Sequence, residues 1–196
     1  MAIDTGLAID CTDLQATGGI KQILLRSWTA GDTIVYGGTG VHTITSIKED
    51  GAVTDANWGV YEFKNETPAL TINATKENGS TAFECGLSFT LPRMEVGKFN
   101  VIQDMLNACL MIIAVDTNDK AFVLGVSEKY RNESAAERSQ TFGQFASAEG
   151  GSGAAYSDEN GVTISLMARQ FEMPREYVPS ATGITVASTG LTATTD

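Results

Sequence analysis

Over residues 81–91 the chain alternates, with Phe83, Cys85, Leu87, Phe89 and Leu91 on one face and Ala82, Glu84, Gly86, Ser88 and Thr90 on the other. A period of two marks a half-buried strand, and Pro92, which has no N–H to give a ladder, closes it. The period then changes. Val96, Phe99, Ile102, Met105, Leu106 and Cys109 recur at spacings of three and four, which predicts an amphipathic helix over 96–109 that covers an open side of the sheet. Residues 110–115 (LMIIAV) form an unbroken apolar run, too short to cross a membrane and suited to a buried strand. Residues 116–120 (DTNDK) supply a turn, and 121–126 (AFVLGV) return as the partner strand.

The flanking segments extend this picture. Residues 1–19 read as a polar N-terminal arm. In 20–28, Ile20, Leu24 and Trp28 fall on one side and Ile23 and Leu25 on the other, which predicts a strand buried on both faces or meeting a neighbouring subunit. Residues 31–56 interleave glycines with Thr33, Ile34, Val35, Thr43, Ile44, Thr45 and Ile47, the pattern of a long hairpin or two short edge strands, with the turn at 49–51. Strands follow at 58–64, with Tyr61 and Phe63 together, and at 69–76, with Leu70, Ile72 and Ala74 together. Asn78-Gly79 is a hairpin signal leading into the strand at 81.

After Tyr130 the regular pattern stops. Residues 131–161 read as a long loop, functional or disordered, with two turns of helix at 134–140. A last strand spans 162–171, with Val162, Ile164, Leu166 and Ala168 inward, and the prolines within 173–179 end the sheet. Residues 180–196 form a Thr-rich tail whose only apolar anchors are Ile184, Val186 and Leu191. The expected fold is mainly β: one domain over 20–179, a β-sandwich or partly open β-barrel of about seven to nine strands with one flanking α-helix at 96–109.

Composition narrows the function. A chain of 196 residues suits one domain and needs neither disulfides nor a metal to fold. Cys11, Cys85 and Cys109 read as buried, reduced thiols, and with no signal-like start the expected site of synthesis is the cytoplasm. The four Asn-x-Ser/Thr triplets, at Asn65, Asn73, Asn78 and Asn132, then read as coincidences of a polar surface. The net charge of −11 argues against a phosphate-clasping nucleic-acid binder, yet it suits a wall along which DNA must not stick.

Catalytic and cofactor motifs do not emerge. His42 is the only histidine and reads as an exposed residue. The stretch 150–154 (GGSGA) lacks the last glycine of a nucleophile elbow, and GGTG at 37–40 lacks a nucleotide-binding context. DTNDK lacks the glycine and distal glutamate of a calcium loop. Cys85 and Cys109 have no basic neighbours to activate a thiol. The expectation is a protein that is not an enzyme, with no catalytic, cofactor-binding or metal-binding residue.

The order of these signals resembles the tail tube (major tail) proteins of tailed bacteriophages. The resemblance runs from Gly18-Gly19-Ile20-Lys21 before the first apolar strand, through Glu77-Asn78-Gly79-Ser80-Thr81-Ala82-Phe83 and the helix at 96–109, to the hairpin with Asp116 and Asn118 at its turn. It continues through Phe122-Val123-Leu124-Gly125, a Gly-rich loop, and the strand starting near Asn160-Gly161-Val162-Thr163. The charged segment 128–149 and the tail after Pro179 depart from the pattern. The resemblance implies a virion protein made in the bacterial cytoplasm, a homo-oligomer whose rings, typically of six copies, stack into a tube. DNA would pass through that tube unbound, other tail proteins would be its partners, and no membrane would be involved.

On this reading the inter-subunit contacts are expected at Thr33, Ile34, Val35, Tyr36, Val41 and Ile44 of the Gly-rich segment and at Ile184, Val186 and Leu191 of the tail. The alternatives are the tube protein of a contractile secretion or injection system, and a monomeric β-sandwich that serves as a binding or capsid decoration module.

Overall fold

A computed structural model describes residues 18–29, 31–38, 42–49, 58–63, 68–77, 80–128, 141–153 and 160–178. In chain order the elements are β1 (Ile20–Ser27), β2 (Thr33–Tyr36), β3 (Thr43–Lys48), β4 (Gly59–Glu62), β5 (Ala69–Glu77), β6 (Ser80–Pro92), α1 (Val96–Asn107), β7 (Leu110–Asp116), β8 (Ala121–Leu124), β9 (Gly143–Gly151), β10 (Gly161–Gln170) and β11 (Arg175–Tyr177).

The strands form one mixed, open sheet in the order β2-β3-β11-β8-β7-β9-β10-β6-β5, with β1 placed between β7 and β4 off that path. Strands β7 and β9 meet only at Leu110 and Gly143, and the sheet divides there. On one side β9, β10, β6 and β5 run antiparallel as a long four-stranded layer. On the other, β4, β1, β7, β8, β11, β3 and β2 form a second group.

Two cores follow from this division. The first lies between the groups and joins Ile23, Leu25, Ile112 and Ala114 to Cys85, Leu87, Phe89, Leu91, Val162, Ile164, Leu166 and Ala168. The second joins Leu24, Met111, Ile113 and Val115 to Ile44, Ile47, Trp58, Val123 and Tyr177, all within the second group. Strand β7 therefore supplies side chains to a core on each face, which is why its sequence is an unbroken apolar run. The alternation expected in β6 and β10 holds, with Cys85, Leu87, Phe89, Leu91, Val162, Ile164, Leu166 and Ala168 all buried. Tyr61 and Phe63 both pack on Phe89, at 6.2 and 5.6 Å between ring centroids.

Several expectations need correction. The fold is mainly β with one helix, as expected, but the described residues alone hold eleven strands, more than the seven to nine expected. Strand β9 lies inside the stretch expected to be loop: its residues 146–151 are exposed, so the ladder to β10 holds it and no apolar alternation marks it. Strand β11 continues the sheet within 173–179, between Pro174 and Pro179, where the prolines were expected to end it. It pairs parallel to β3, so of the described strands within 31–56 β2 is the edge. The β2–β3 connection runs through 37–42, where the Gly37 N–H donates to the Thr43 carbonyl, and not through 49–51.

Strand β1 is buried on both faces, but Ile20 joins Ile23 and Leu25 and not Leu24. A register shift between Ile20 and Gln22 adds one residue and turns Ile20 to the other face. Helix α1 ends at Asn107, and its apolar stripe is only partly covered. Met105, with Val101, Ile102 and Ala108, meets the first core, whereas Val96 is 75 % exposed and Phe99 and Leu106 are exposed too. The arm 1–17, the turn 78–79, the helix at 134–140 and the tail 180–196 lie outside the described residues.

The thiols also divide. Cys85 is buried as expected, and burial pushes its pKa up to about 11, whereas Cys109 is exposed, contrary to expectation. In a chain carrying Cys11→Ser, a thiol reagent at pH 8 is expected to label Cys109 at once and Cys85 only after denaturant is added. Equal labelling rates for the two thiols in the native protein would contradict this placement.

Candidate functional site

Among the described residues no group of three or more His, Cys, Asp or Glu side chains is placed to hold a metal ion. No described helix is long and apolar enough to cross a membrane. His42 is exposed, its Nε2 lying 2.8 Å from the Met173 carbonyl oxygen. DTNDK is a turn: Asp116 Oδ1 accepts the N–H groups of Asn118 at 2.9 Å and Lys120 at 2.7 Å, and Asp119 has φ 63°. A shallow depression lined by Phe142, Gln144, Met167 and Arg169 opens on the outer face of the four-stranded layer, and Arg169 is paired there with Glu84 at 3.2 Å.

What the fold offers is open sheet edge. Strand β5 has nine residues and, among the described residues, pairs only with β6. Thr71, Ile72, Asn73, Ala74, Thr75 and Lys76 are all exposed along it. At the far side of that layer, among the described residues β9 has a neighbour on its other edge only at Gly143. Natural sheets blunt a long edge with charge, proline, a bulge or a cover, because its unpaired N–H and C=O groups are a template for another strand. The charged residues of β5, Lys76 and Glu77, both lie at its C-terminal end.

The expected contact residues fall into distinct environments. Thr33 and Val35 are exposed on the edge strand β2, while Ile34 is half-buried. Tyr36 and Ile44 are packed into the chain's own second core. Val41, Ile184, Val186 and Leu191 lie outside the described residues.

One end of the fold carries a partly buried ionic cluster, centred on a buried arginine, that sequence reasoning missed. Arg175, 6 % exposed, binds Glu128 through Nη2 at 2.5 Å and Glu172 through Nε at 3.0 Å, with its guanidinium 5.3 Å from the Tyr36 ring centroid. The Glu128 N–H donates to Glu172 Oε1 at 2.7 Å, and Gln170 accepts the Gly125 N–H at 3.1 Å. These bonds tie the β10–β11 connector to the chain leaving β8. Glu172 and Arg175 are three residues apart, but Glu128 joins them only through tertiary structure, so the sequence does not signal the cluster as a whole.

Burial alone would raise the Glu172 carboxyl, but the Arg175 guanidinium and the Glu128 amide hold it below its ordinary 4.5. A carboxyl whose folded pKa is depressed stabilises the fold above its unfolded pKa, and that contribution is lost as pH falls through the folded value. Glu172→Gln is therefore expected to be less stable than the parent at pH 7, with the gap closing below about pH 4.5. Urea midpoints measured across pH check this; a gap that is constant with pH would contradict it.

Comparison of the chain with family models, with curated proteins and with solved structures gives no match.

Proposed function

We propose that this protein is a structural, non-enzymatic subunit of a phage tail tube, which assembles into rings that stack to form a conduit for DNA. The observation that carries the reading is the four-stranded layer, whose two edges are open among the described residues: the long exposed edge of β5 and the edge of β9 beyond Gly143. Unlike edges on one subunit suit a heterologous contact, and such contacts close into a ring when the rotation closes. The order of elements supports the reading, since a long strand, a helix and a β-hairpin follow one another as in the tail tube proteins that the sequence resembles. Charge supports it too. The chain carries −11, and the outward face of β10 and β6 presents Thr90, Thr163 and the paired Arg169 and Glu84, a surface that gives passing phosphates little to hold. On this reading the protein resides in the virion tail, its partners are further copies of itself and other tail proteins, and it takes no cofactor.

The test is a charge placed on the edge. Ile72 is exposed in the middle of β5, so Ile72→Lys is expected to leave the fold intact and to stop ring formation, as lysines on natural edges do. A variant that assembles as the parent does would remove β5 from the interface.

A further inference from the structure

Helix α1 runs alongside β9 from one end to the other. At its start, Asn160 accepts the Arg93 and Met94 N–H groups through its carbonyl and side-chain oxygens, and the next residue, Gly161, pairs with Gly151 at the end of β9. At its finish, Ala108 and Cys109 lead into Leu110, which pairs with Gly143 at the beginning of β9. Between those points β9 is the strand that α1 chiefly lies against, and the buried side of the helix meets the first core. The helix thus closes the flank of that core along the β9 edge where, among the described residues, no strand pairs beyond Gly143. A helix laid over a sheet edge keeps that edge from pairing.

This cover is weakly held. Its sequence, VGKFNVIQDMLN, sets Gly97, Val96, Val101, Ile102, Phe99, Asn100, Asn107 and Asp104 against only four good helix formers, Lys98, Gln103, Met105 and Leu106. A helix of this length is marginal alone even with an ideal sequence, so α1 depends on docking. Yet Met105 is its one buried residue, with Val101 and Ile102 half-buried. Glu95 makes no side-chain cap bond, and the charges oppose the helix dipole, Lys98 standing in the first turn and Asp104 in the last. The ties at its start are solvent-facing: Glu95 pairs with Arg93 at 3.5 Å and Lys98 at 3.8 Å, and Lys98 donates to the Pro92 and Arg93 carbonyls. Such ties contribute little. Arg93, with φ 67°, and Ala108, in extended backbone, flank the helix as hinge positions.

We propose that α1 is a hinged cover, which swings off β9 as a unit while the sheet stays folded and so admits an incoming strand to the β9 edge. The inference rests on the ring-forming reading above and names what regulates that edge. Elements of low local stability open in this way without global unfolding. The fraction of chains with α1 open then sets how fast rings form, because only the open chain can pair.

The experiment compares the full parent chain with Gly97→Ala/Asn100→Ala, which strengthens the helix, and with Gln103→Gly, which weakens it. All three positions are exposed, and neither variant changes the net charge. Hydrogen exchange at a concentration below that of ring formation is expected to show α1 amides exchanging about 100-fold or more faster than those of β7. The alanine pair is expected to slow α1 exchange roughly 10-fold and Gln103→Gly to speed it roughly 3-fold, with β7 unchanged. Ring formation followed by light scattering is expected to slow and quicken by the same factors. Amides of α1 as protected as those of β7 would overturn the inference, whether or not rings form. Equal rates of ring formation in the three proteins, despite shifted exchange, would overturn it and leave the ring reading in place. A parent that stays monomeric at every concentration would overturn the ring reading and the gating role with it. If Gln103→Gly does not fold by circular dichroism, the alanine pair carries the same comparison with the parent.

Discussion

Ile113→Ala is expected to lower the unfolding free energy by about 2–5 kcal/mol, enough to remove much of the stability of an ordinary domain. Ile113 is fully buried in the second core, and truncating it leaves a cavity among Met111, Val115 and Val123 that neighbouring strands cannot close. Its neighbour Ile112 faces the first core, between the two groups of strands. Because β7 and β1 belong to both cores, damage to either reaches the whole described fold. Urea unfolding of Ile113→Ala and Ile112→Ala is therefore expected to remain a single transition with a lowered midpoint in both variants. Two separated transitions would show that the cores unfold independently. Val96→Ala, on the exposed flank of α1, serves as the control and is expected to shift the midpoint little.

Gly125→Ala is expected to be at least as damaging, at roughly 3–5 kcal/mol. Gly125 has φ +81°, a conformation that costs an alanine about 1–2 kcal/mol before any contact is made. A Cβ there would sit 2.5 Å from the Gly143 nitrogen and 3.2 Å from the Leu110 carbonyl oxygen. Those atoms belong to the one register position at which β7 meets β9, so relieving the clash would part the two groups of strands where they join. The same substitution at Gly97, where a Cβ meets nothing within 4 Å, is expected to be neutral or slightly stabilising in the helix. Equal urea midpoints for the two variants would contradict this account of the junction.

The sequence is most legible where burial has a simple geometry. Strands β6 and β10 each bury one face and alternate cleanly, while β7 buries both faces and reads as an unbroken run. It is least legible where backbone pairing alone holds the chain. Residues 146–151 of β9 are exposed and rich in Ala, Gly and Ser, so no side-chain periodicity separates them from a loop. Strand β11 is three residues long and flanked by prolines, and its place depends on β3 and β8, both distant in sequence. Ile20 misled because one extra residue at a bulge shifts a face without leaving any trace in composition.

The candidate surface divides the same way. The sequence marks Ile72 as one of an apolar set in β5, but only the sheet order makes that strand an outer edge. It also marks Tyr36 and Ile44 as apolar residues among glycines, and the second core takes both. The helix stripe shows the converse. Its pattern announces an apolar face, and the fold covers the Met105 side while leaving Val96 and Phe99 exposed.

The most direct test of the account is the solution mass of the purified protein by light scattering over a range of concentrations, paired with negative-stain microscopy of the same samples. The account predicts rings whose mass is a small integer multiple, about six, of the 20.8 kDa chain, joined into stacks as concentration rises. A mass that stays at that of one chain at every concentration, with no rings in the images, would contradict it and favour a monomeric β-sandwich module instead.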